Sequence, residues 1–345
     1  MSQKASEPST LCFNPACPHP NNCLGAQTCS GCGAYLRLQA RYTAVQVMGR
    51  AGFSRTLLAI DGSQTPSVPC VIQQRWWPDP HSSQAERFQS QTEPDVQRLT
   101  QVGTHSQLPK ILDSFDQDGF FYLVQEYIPG DNLEIVLLER GKFSPVEIWL
   151  ILGSLLSILD YIHAHGMIHR DIKPENIILK GYQVTASALF LVDLGDAQLI
   201  TPTSLILPET LPATTVGSPE YAAPEQLAGK AVFASDLYSL GVTGLHLLTG
   251  IPPLNLFDSA THQWVWRDYW SPNQMSEHDA LANFLDRLIA PALSNRFVSA
   301  EAAIAAMPPT KRQKRSVINS TLPPALPCYA TLTGHSGLFA SINGV

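Results

Sequence analysis

The period of apolar positions changes once along this chain. Between residues 41 and 128 the apolar positions fall in short stretches rich in β-branched and aromatic side chains. RYTAVQVMG (41–49), RTLLAID (55–61) and GFFYLVQEYI (119–128) read as strands, and PCVIQQRWW (69–77) opens like one with Cys70, Val71 and Ile72. Among them, AERFQSQTEPDVQRLTQV (85–102) has helical spacing, with Leu99 four residues after Asp95 and an interruption at Pro94. From SPVEIWLILGSLLSILDYIHAHG (144–166) onward the pattern is helical, and Ser144 with Glu147 forms a capping-box signature. A strand-rich part with one helix, followed by a helix-rich part, predicts an α+β protein with a small β-rich N-lobe, a large α-helical C-lobe and a cleft between them.

Composition divides the chain further. Residues 1–35 are rich in Cys, Pro, Asn and Gly and hold few large apolar residues; 42–309 carry the alternating pattern; 310–345 run from KRQKR through PPALP to a short final piece. The net charge of −7, with 15% charged residues, argues against a nucleic-acid partner. LILGSLLSIL (150–159) is shorter than the ~18 apolar residues of a membrane span and reads as a buried helix, so no integral membrane segment is expected. MSQKASEPST lacks the apolar centre of a signal peptide, and a cytoplasmic protein is the expectation. Five of the seven cysteines lie within residues 12–32, and without an export signal such a cluster points to metal ligands rather than disulfides. The spacing Cys12-x4-Cys17-x11-Cys29-x2-Cys32 gives two close pairs across a loop, suited to a tetrahedral structural Zn²⁺, with Cys23 and His19 as alternates.

The chemistry concentrates in MIHRDIKPENIIL (167–179) and LVDLGDA (191–197). Asp171 can accept a hydrogen bond from a nucleophilic hydroxyl, and Lys173 can reach a phosphoryl group in transfer. Asn176 and Asp193 are hard oxygen donors suited to Mg²⁺. Phosphoryl transfer needs positioning and charge neutralisation, and these residue types supply both. The string HRDIKPEN resembles the catalytic loop of the eukaryotic-type (Hanks-type) serine/threonine protein kinases. That resemblance spans residues ~42–309 and implies the bilobal protein-kinase-like fold, ATP and Mg²⁺ as cofactors, and protein substrates with Ser or Thr hydroxyls. By it, Asp171 is the catalytic base and Asn176 and Asp193 hold Mg²⁺. Lys173 favours serine/threonine over tyrosine specificity, and Leu194 stands where phenylalanine is usual. GSPEYAAPE (217–225) looks like the end of an activation segment, in which Ser218 contacts Asp171 and Lys173 and Glu225 pairs with Arg296. Asp236 in SDLYSLG holds the catalytic-loop backbone. Arg170 before the base implies activation by phosphorylation, with Thr214 and Thr215 as the candidates beside Thr201, Thr203, Ser204 and Thr210.

The nucleotide half departs from the pattern. MGRAGFSRT (48–56) resembles the glycine-rich loop; Gly49 is kept, Gly52 adds freedom, and Ala51 and Ser54 stand where glycines are usual. Gln73 occupies the place of the third-strand lysine, and its helix partner maps to Asp95. Both phosphate alignment and helix closure are therefore expected to weaken. Arg50 or Arg55 could replace the cation, whereas Arg75 is expected to reach that face only through a bulge. QEYIPGDNL (125–133) resembles the adenine hinge, with Glu126 and Ile128 offering backbone contacts and Asp131 near the ribose. The cysteine-rich prefix is similar to that of cyanobacterial kinases, and TLTGHSG (331–337) resembles the opening of a WD repeat, the start of an incomplete or truncated blade. An active but slow kinase is expected, with a pseudokinase scaffold as the alternative. A third class is an assembly module acting through prefix and tail.

Overall fold

The structure, a computed structural model, describes residues 9–76, 96–194, 198–199, 218–270 and 272–308. Asp95, the six candidate phosphorylation sites between 201 and 215, and the tail with KRQKR and TLTGHSG lie outside the described residues. The described chain forms two compact units, one from residues up to 76 together with 112–127, the other from 96–111 and 128–308.

The first unit is a β-sheet with a covered face. The prefix supplies the small antiparallel pair β1 (Ser9–Leu11) and β2 (Asn21–Cys23). The main sheet comprises β3 (Tyr42–Ala51), β4 (Ser54–Asp61), β5 (Val68–Arg75), β6 (Ile111–Gln117) and β7 (Phe120–Glu126), in the order β3-β4-β5-β7-β6. In β4 alternate residues are buried, as a half-covered strand requires. One face packs Tyr42, Ala44, Leu57, Ala59, Cys70, Ile72, Tyr122 and Val124 into a core that Leu11, Phe13 and Leu38 complete. The prefix residues, too few to form a core alone, thus share the core of the sheet. Burial of Leu11 and Phe13 stabilises this docking by roughly 1.5–3 kcal/mol each. β6 was not apparent in the sequence pattern. It is joined to β7 by Asp118-Gly119, both at positive φ (53° and 79°), the dipeptide that suits a two-residue hairpin turn.

The second unit is mainly helical. After helical residues 96–102 (α1), the short strand β8 (Asp131–Asn132) leads into α2 (Leu133–Arg140), whose N-cap Asn132 accepts from the Ile135 amide at 2.9 Å. α3 (Pro145–Ala164) starts at the expected capping box: Ser144 N donates to Glu147 Oε2 at 2.8 Å, and Glu147 N to Ser144 Oγ at 3.4 Å. β9 (Met167–Ile168), β10 (Ile177–Leu179) and β11 (Leu189–Leu191) frame the catalytic loop; β10 pairs with β11 and with β8, and β12 (Gln198–Leu199) with β9. Gly130 precedes β8 because any side chain there would collide with the Leu179 carbonyl. α4 (Pro224–Leu227), α5 (Phe233–Thr249), α6 (Pro253–Leu256), α7 (Pro272–Leu288) and α8 (Ala300–Ala306) follow. Among the described residues α3 alone is long and apolar enough to cross a membrane; it packs on α5 and α8 as a core helix, with Leu152, Leu155, Leu156 and Leu159 fully buried. α5 approaches α7 closely through Gly241 and Gly244, where an added Cβ would lie 2.7 Å from Leu288 Cβ and 2.9 Å from Leu285 Cδ2.

Candidate active site

The catalytic loop runs from β9 to β10, and one buried carboxylate shapes it. Asp236, fully buried in the first turn of α5, accepts the amides of His169 at 2.9 Å and Arg170 at 2.8 Å. Its Oδ2 also meets His163 Nε2 at 2.8 Å. These bonds offset the cost of holding Arg170 at φ 69°, a left-handed conformation rare for a long side chain.

Asp171 is 7% exposed, and its two oxygens face different partners. Oδ2 takes Lys173 Nζ at 2.9 Å and Asn176 Nδ2 at 2.8 Å, while Oδ1 accepts the Ser218 amide at 3.0 Å. Lys173 Nζ also donates to Ser218 Oγ at 2.7 Å. Burial alone would lower the Lys173 pKa, but the carboxylates of Asp171, Glu175 and Asp193 outweigh it and raise the ammonium above its ordinary value. Lys173 is therefore a fixed cation.

Asn176 donates its second N–H to the Asp171 carbonyl at 2.8 Å, which fixes the amide orientation and leaves Oδ1 as its acceptor. The Asn176 carbonyl accepts the Val192 amide at 2.9 Å, and His169 Nε2 lies 3.2 Å from the Val192 carbonyl. These contacts tie the loop to the residue before Asp193, which itself has φ 66°. Two oxygen donors on adjoining segments, with a lysine beside them, fit an Mg²⁺–phosphate group. Leu194 is buried, so the apolar replacement keeps its apolar surroundings. The expected Glu225–Arg296 pair is present: Nη1 meets Oε1 at 2.7 Å and Nη2 meets Oε2 at 3.3 Å, with Arg296 fully buried and also bonded to the carbonyls of Ala234, Ala290 and Pro291.

Sequence reasoning missed a neighbouring pair. The Tyr221 hydroxyl donates to Nδ1 of His246, 2.7 Å away, and both side chains are buried. Burial pushes the imidazole down to about 4, so it is neutral at pH 7 and can accept that bond. Glu134 Oε2 lies 3.9 Å from Nδ1. Burial, with Glu175 and Glu220 nearby, raises its own pKa. No local motif marks this pair, because its members lie 25 residues apart.

In the first unit, the β3–β4 hairpin turns at Gly52 (φ 51°), and a Cβ built at Gly49 or Gly52 meets nothing within 4 Å. The register aligns Gly49 with Thr56, Thr56 with Gln73 and Gln73 with Leu123, one row of side chains on one face. Arg50, Arg55, Gln74 and Tyr122 form the adjacent row on the opposite face. Arg50 and Arg55 therefore do not replace the cation missing at Gln73. Arg55 is instead 1% exposed: it donates to the Gln74 side-chain carbonyl and, at 3.2 Å, to the Cys12 carbonyl. Gln74 Nε2 donates to the Phe13 carbonyl at 2.8 Å and the Tyr122 hydroxyl at 3.0 Å. This polar inlay fastens the prefix to the sheet. Arg75 also differs from expectation. It stands two residues from Gln73 in an unbroken register, so it shares Gln73's face without any bulge. Glu126 closes β7, while Ile128 (buried) and Asp131 (exposed) belong to the second unit; the Asp95 partner of position 73 lies outside the described residues.

The prefix brings together Cys12, Cys17, Cys29 and Cys32, with all four sulfurs within 4.8 Å of one another. Cys12 and Cys32 sulfurs lie 3.6 Å apart, as do those of Cys17 and Cys29. Four thiolates around Zn²⁺ at ~2.3 Å would lie about 3.8 Å apart, so the arrangement fits that ion. Burial would raise the Cys29 pKa, but donation from the Asn22 side chain (3.5 Å) and the Gly31 amide (3.4 Å) outweighs it and brings the thiol down to about 6. Cys23 is exposed and outside the cluster, and His19 contributes its carbonyl, 3.7 Å from Cys29 Sγ.

A catalytic loop of this geometry, with a glycine-bearing hairpin in a separate β-rich unit, defines a protein-kinase fold. The family described as "Protein kinase domain" matches residues 42–306, and the chain belongs to it. Its relatives include three proteins of Synechocystis sp.: serine/threonine-protein kinase B (35% identical, covering 86% of this chain and 51% of that protein), kinase F (34%, 86% and 63%) and kinase D (37%, 87% and 56%). The chain thus spans between about half and five-eighths of the length of these relatives.

Proposed function

We propose that this chain is a serine/threonine protein kinase that transfers the γ-phosphate of ATP to Ser or Thr hydroxyls of proteins. The observation that carries the reading is Asp171, held by Lys173, Asn176 and the Ser218 amide with one oxygen on each side. The relatives named serine/threonine-protein kinases support the same reading. Asp171 orients the substrate hydroxyl and accepts its proton as the oxygen–phosphorus bond forms and the bond to the departing ADP breaks. Lys173 neutralises charge on the phosphoryl group in transit. Asn176 and Asp193 would hold Mg²⁺, which would supply electrostatic neutralisation of the phosphates. By the resemblance, Glu126 and Ile128 would offer backbone groups to the adenine and Asp131 a carboxylate to the ribose, and Gly49 and Gly52 carry no side chain that would hinder phosphates.

The same proposal includes a structural Zn²⁺ on Cys12, Cys17, Cys29 and Cys32, a cytoplasmic location, protein rather than nucleic-acid partners, and autophosphorylation in the activation segment. It also takes the tail as the opening of a WD repeat, on the motif TLTGHSG alone. A second reading, the pseudokinase scaffold, is favoured by Gln73 in place of lysine. The test is Mg²⁺-ATP phosphate transfer by the purified chain, to itself and to a generic basic protein, beside Asp171→Asn. Transfer that disappears in Asp171→Asn supports the kinase. Transfer equal in both, or absent from the parent, contradicts it, and the absent case favours the scaffold. Metal analysis should return one zinc per chain, reduced to background in Cys17→Ser/Cys29→Ser.

A further inference from the structure

Gln73 leaves its side of β5 without a lysine, yet the same side carries a cation, Arg75. The register of β4, β5 and β7 is unbroken from Asp61↔Val68 to Ser54↔Arg75 and from Cys70↔Glu126 to Arg75↔Phe121. Side chains alternate faces with period two along a strand, so Val71, Gln73 and Arg75 point the same way. Cross-strand partners agree. The Gln73 row is Gly49, Thr56, Gln73, Leu123; the next row on that face holds Ser54, Arg75 and Phe121.

Arg75 therefore lies in the row that ends at the glycine-bearing hairpin, whose turn is Gly52-Phe53. Two residues along a strand are about 6.6–6.8 Å, an offset that the stem of an arginine can span. Arg75 is half-buried, and it takes part in no ion pair among the described residues. Arg50 and Arg55 of the same lobe are on the other face, the latter spent on Gln74 and the prefix. A guanidinium stays charged at any ordinary pH and presents a planar fork that matches two phosphate oxygens.

We infer that Arg75 is the cation that engages the phosphates of ATP in this protein, taking over from β5 the role left neutral by Gln73. The inference rests on the reading of the chain as an ATP-binding kinase. It makes Gln73 tolerable rather than disabling, with the cation displaced by two residues toward the hairpin. The shift has a cost in geometry: an arginine fork approaches the phosphates from the hairpin side, where Ala51 and Ser54 replace glycines.

The test is Mg²⁺-ATP and adenosine binding by calorimetry, using the full chain as parent, Arg75→Ala, Arg75→Met, Gln73→Lys and Gln73→Lys/Arg75→Ala. Arg75→Ala and Arg75→Met should each weaken Mg²⁺-ATP by about 10–100-fold, the scale of a lost charge-assisted contact, and leave adenosine within twofold. In the Gln73→Lys background the same Arg75→Ala change should cost less than threefold. An unchanged ATP affinity in both single Arg75 variants overturns the inference, and so does an equal loss for adenosine, which would mark a structural role. A parent that binds no Mg²⁺-ATP while Gln73→Lys does also overturns it, and leaves the kinase reading standing. If neither binds, the kinase reading itself fails and the inference with it.

Discussion

The two units of this molecule treat charge in opposite ways. In the helical unit the charged and polar side chains at the centre of the site are spent on the catalytic loop: Asp236 on two backbone amides, Lys173 on Asp171 and Ser218, Asn176 on Asp171. In the sheet unit the most deeply buried cation, Arg55, faces away from Gln73 and holds the prefix. Burial itself differs in outcome. It pushes Arg55 down to about 10, leaving it charged at neutral pH, whereas for Lys173 nearby carboxylates reverse it. On the proposed roles, the helical unit keeps the residues of proton transfer while the sheet unit, with Gln73 and Arg75 on one face and Arg55 on the other, carries its charge elsewhere. The sheet has two faces, and substitution at 73 alters one without disturbing the core on the other.

The largest test of this contrast is chemical. Asp171→Asn should cut phosphate transfer by about 10²–10⁴-fold, the usual worth of a positioned general base, with the melting temperature unchanged. Next comes the frame of the helical unit. Arg296→Met strands Glu225 and should cost about 3–5 kcal/mol in denaturant unfolding, because one member of a buried pair is left without its partner. The third test is pH. His246 has a folded pKa depressed from 6.5 to about 4, so the unfolded chain binds the proton first as pH falls. Its contribution is complete above pH 6.5 and lost between 6.5 and about 4, up to about 3 kcal/mol, and His246→Gln should flatten the stability profile in that window. Smallest is the polar inlay of the sheet unit. Gln74→Leu leaves Arg55, Tyr122 and the Phe13 carbonyl without their shared partner and should cost about 1–3 kcal/mol. Proteolysis of the prefix should then accelerate. If Gln74→Leu left prefix protection intact, the sheet's outer face would not be the seat of the prefix.

How much of this was legible in the sequence depends on how local each feature is. HRDIKPEN is contiguous, and Asp171, Lys173 and Asn176 meet within one loop, so the convergence of these side chains could be read from one short stretch and its resemblance. The Ser144–Glu147 cap was legible for the same reason, and the four-cysteine spacing found the sulfurs that converge. The seating of the prefix was not legible: Arg55, Gln74 and Cys12 come from three distant segments, and an Arg–Gln pair in a strand reads as exposed. His246 and Tyr221 were hidden likewise. Two features could have been found. Asp118-Gly119 is a strong hairpin signal and implies β6 before it. The placement of Arg75 needed only parity, since an offset of two keeps a side chain on the same face.

The most direct test of the central claim, that the proton-transfer residues are complete and the departures lie in the nucleotide half, is the initial rate of phosphate transfer by Gln73→Lys at saturating Mg²⁺-ATP, with and without Asp171→Asn. The account predicts robust transfer by Gln73→Lys that falls by about 10²–10⁴-fold when Asp171 is also changed. A Gln73→Lys protein that binds Mg²⁺-ATP and still transfers nothing would contradict it, because the defect would then lie in the helical unit.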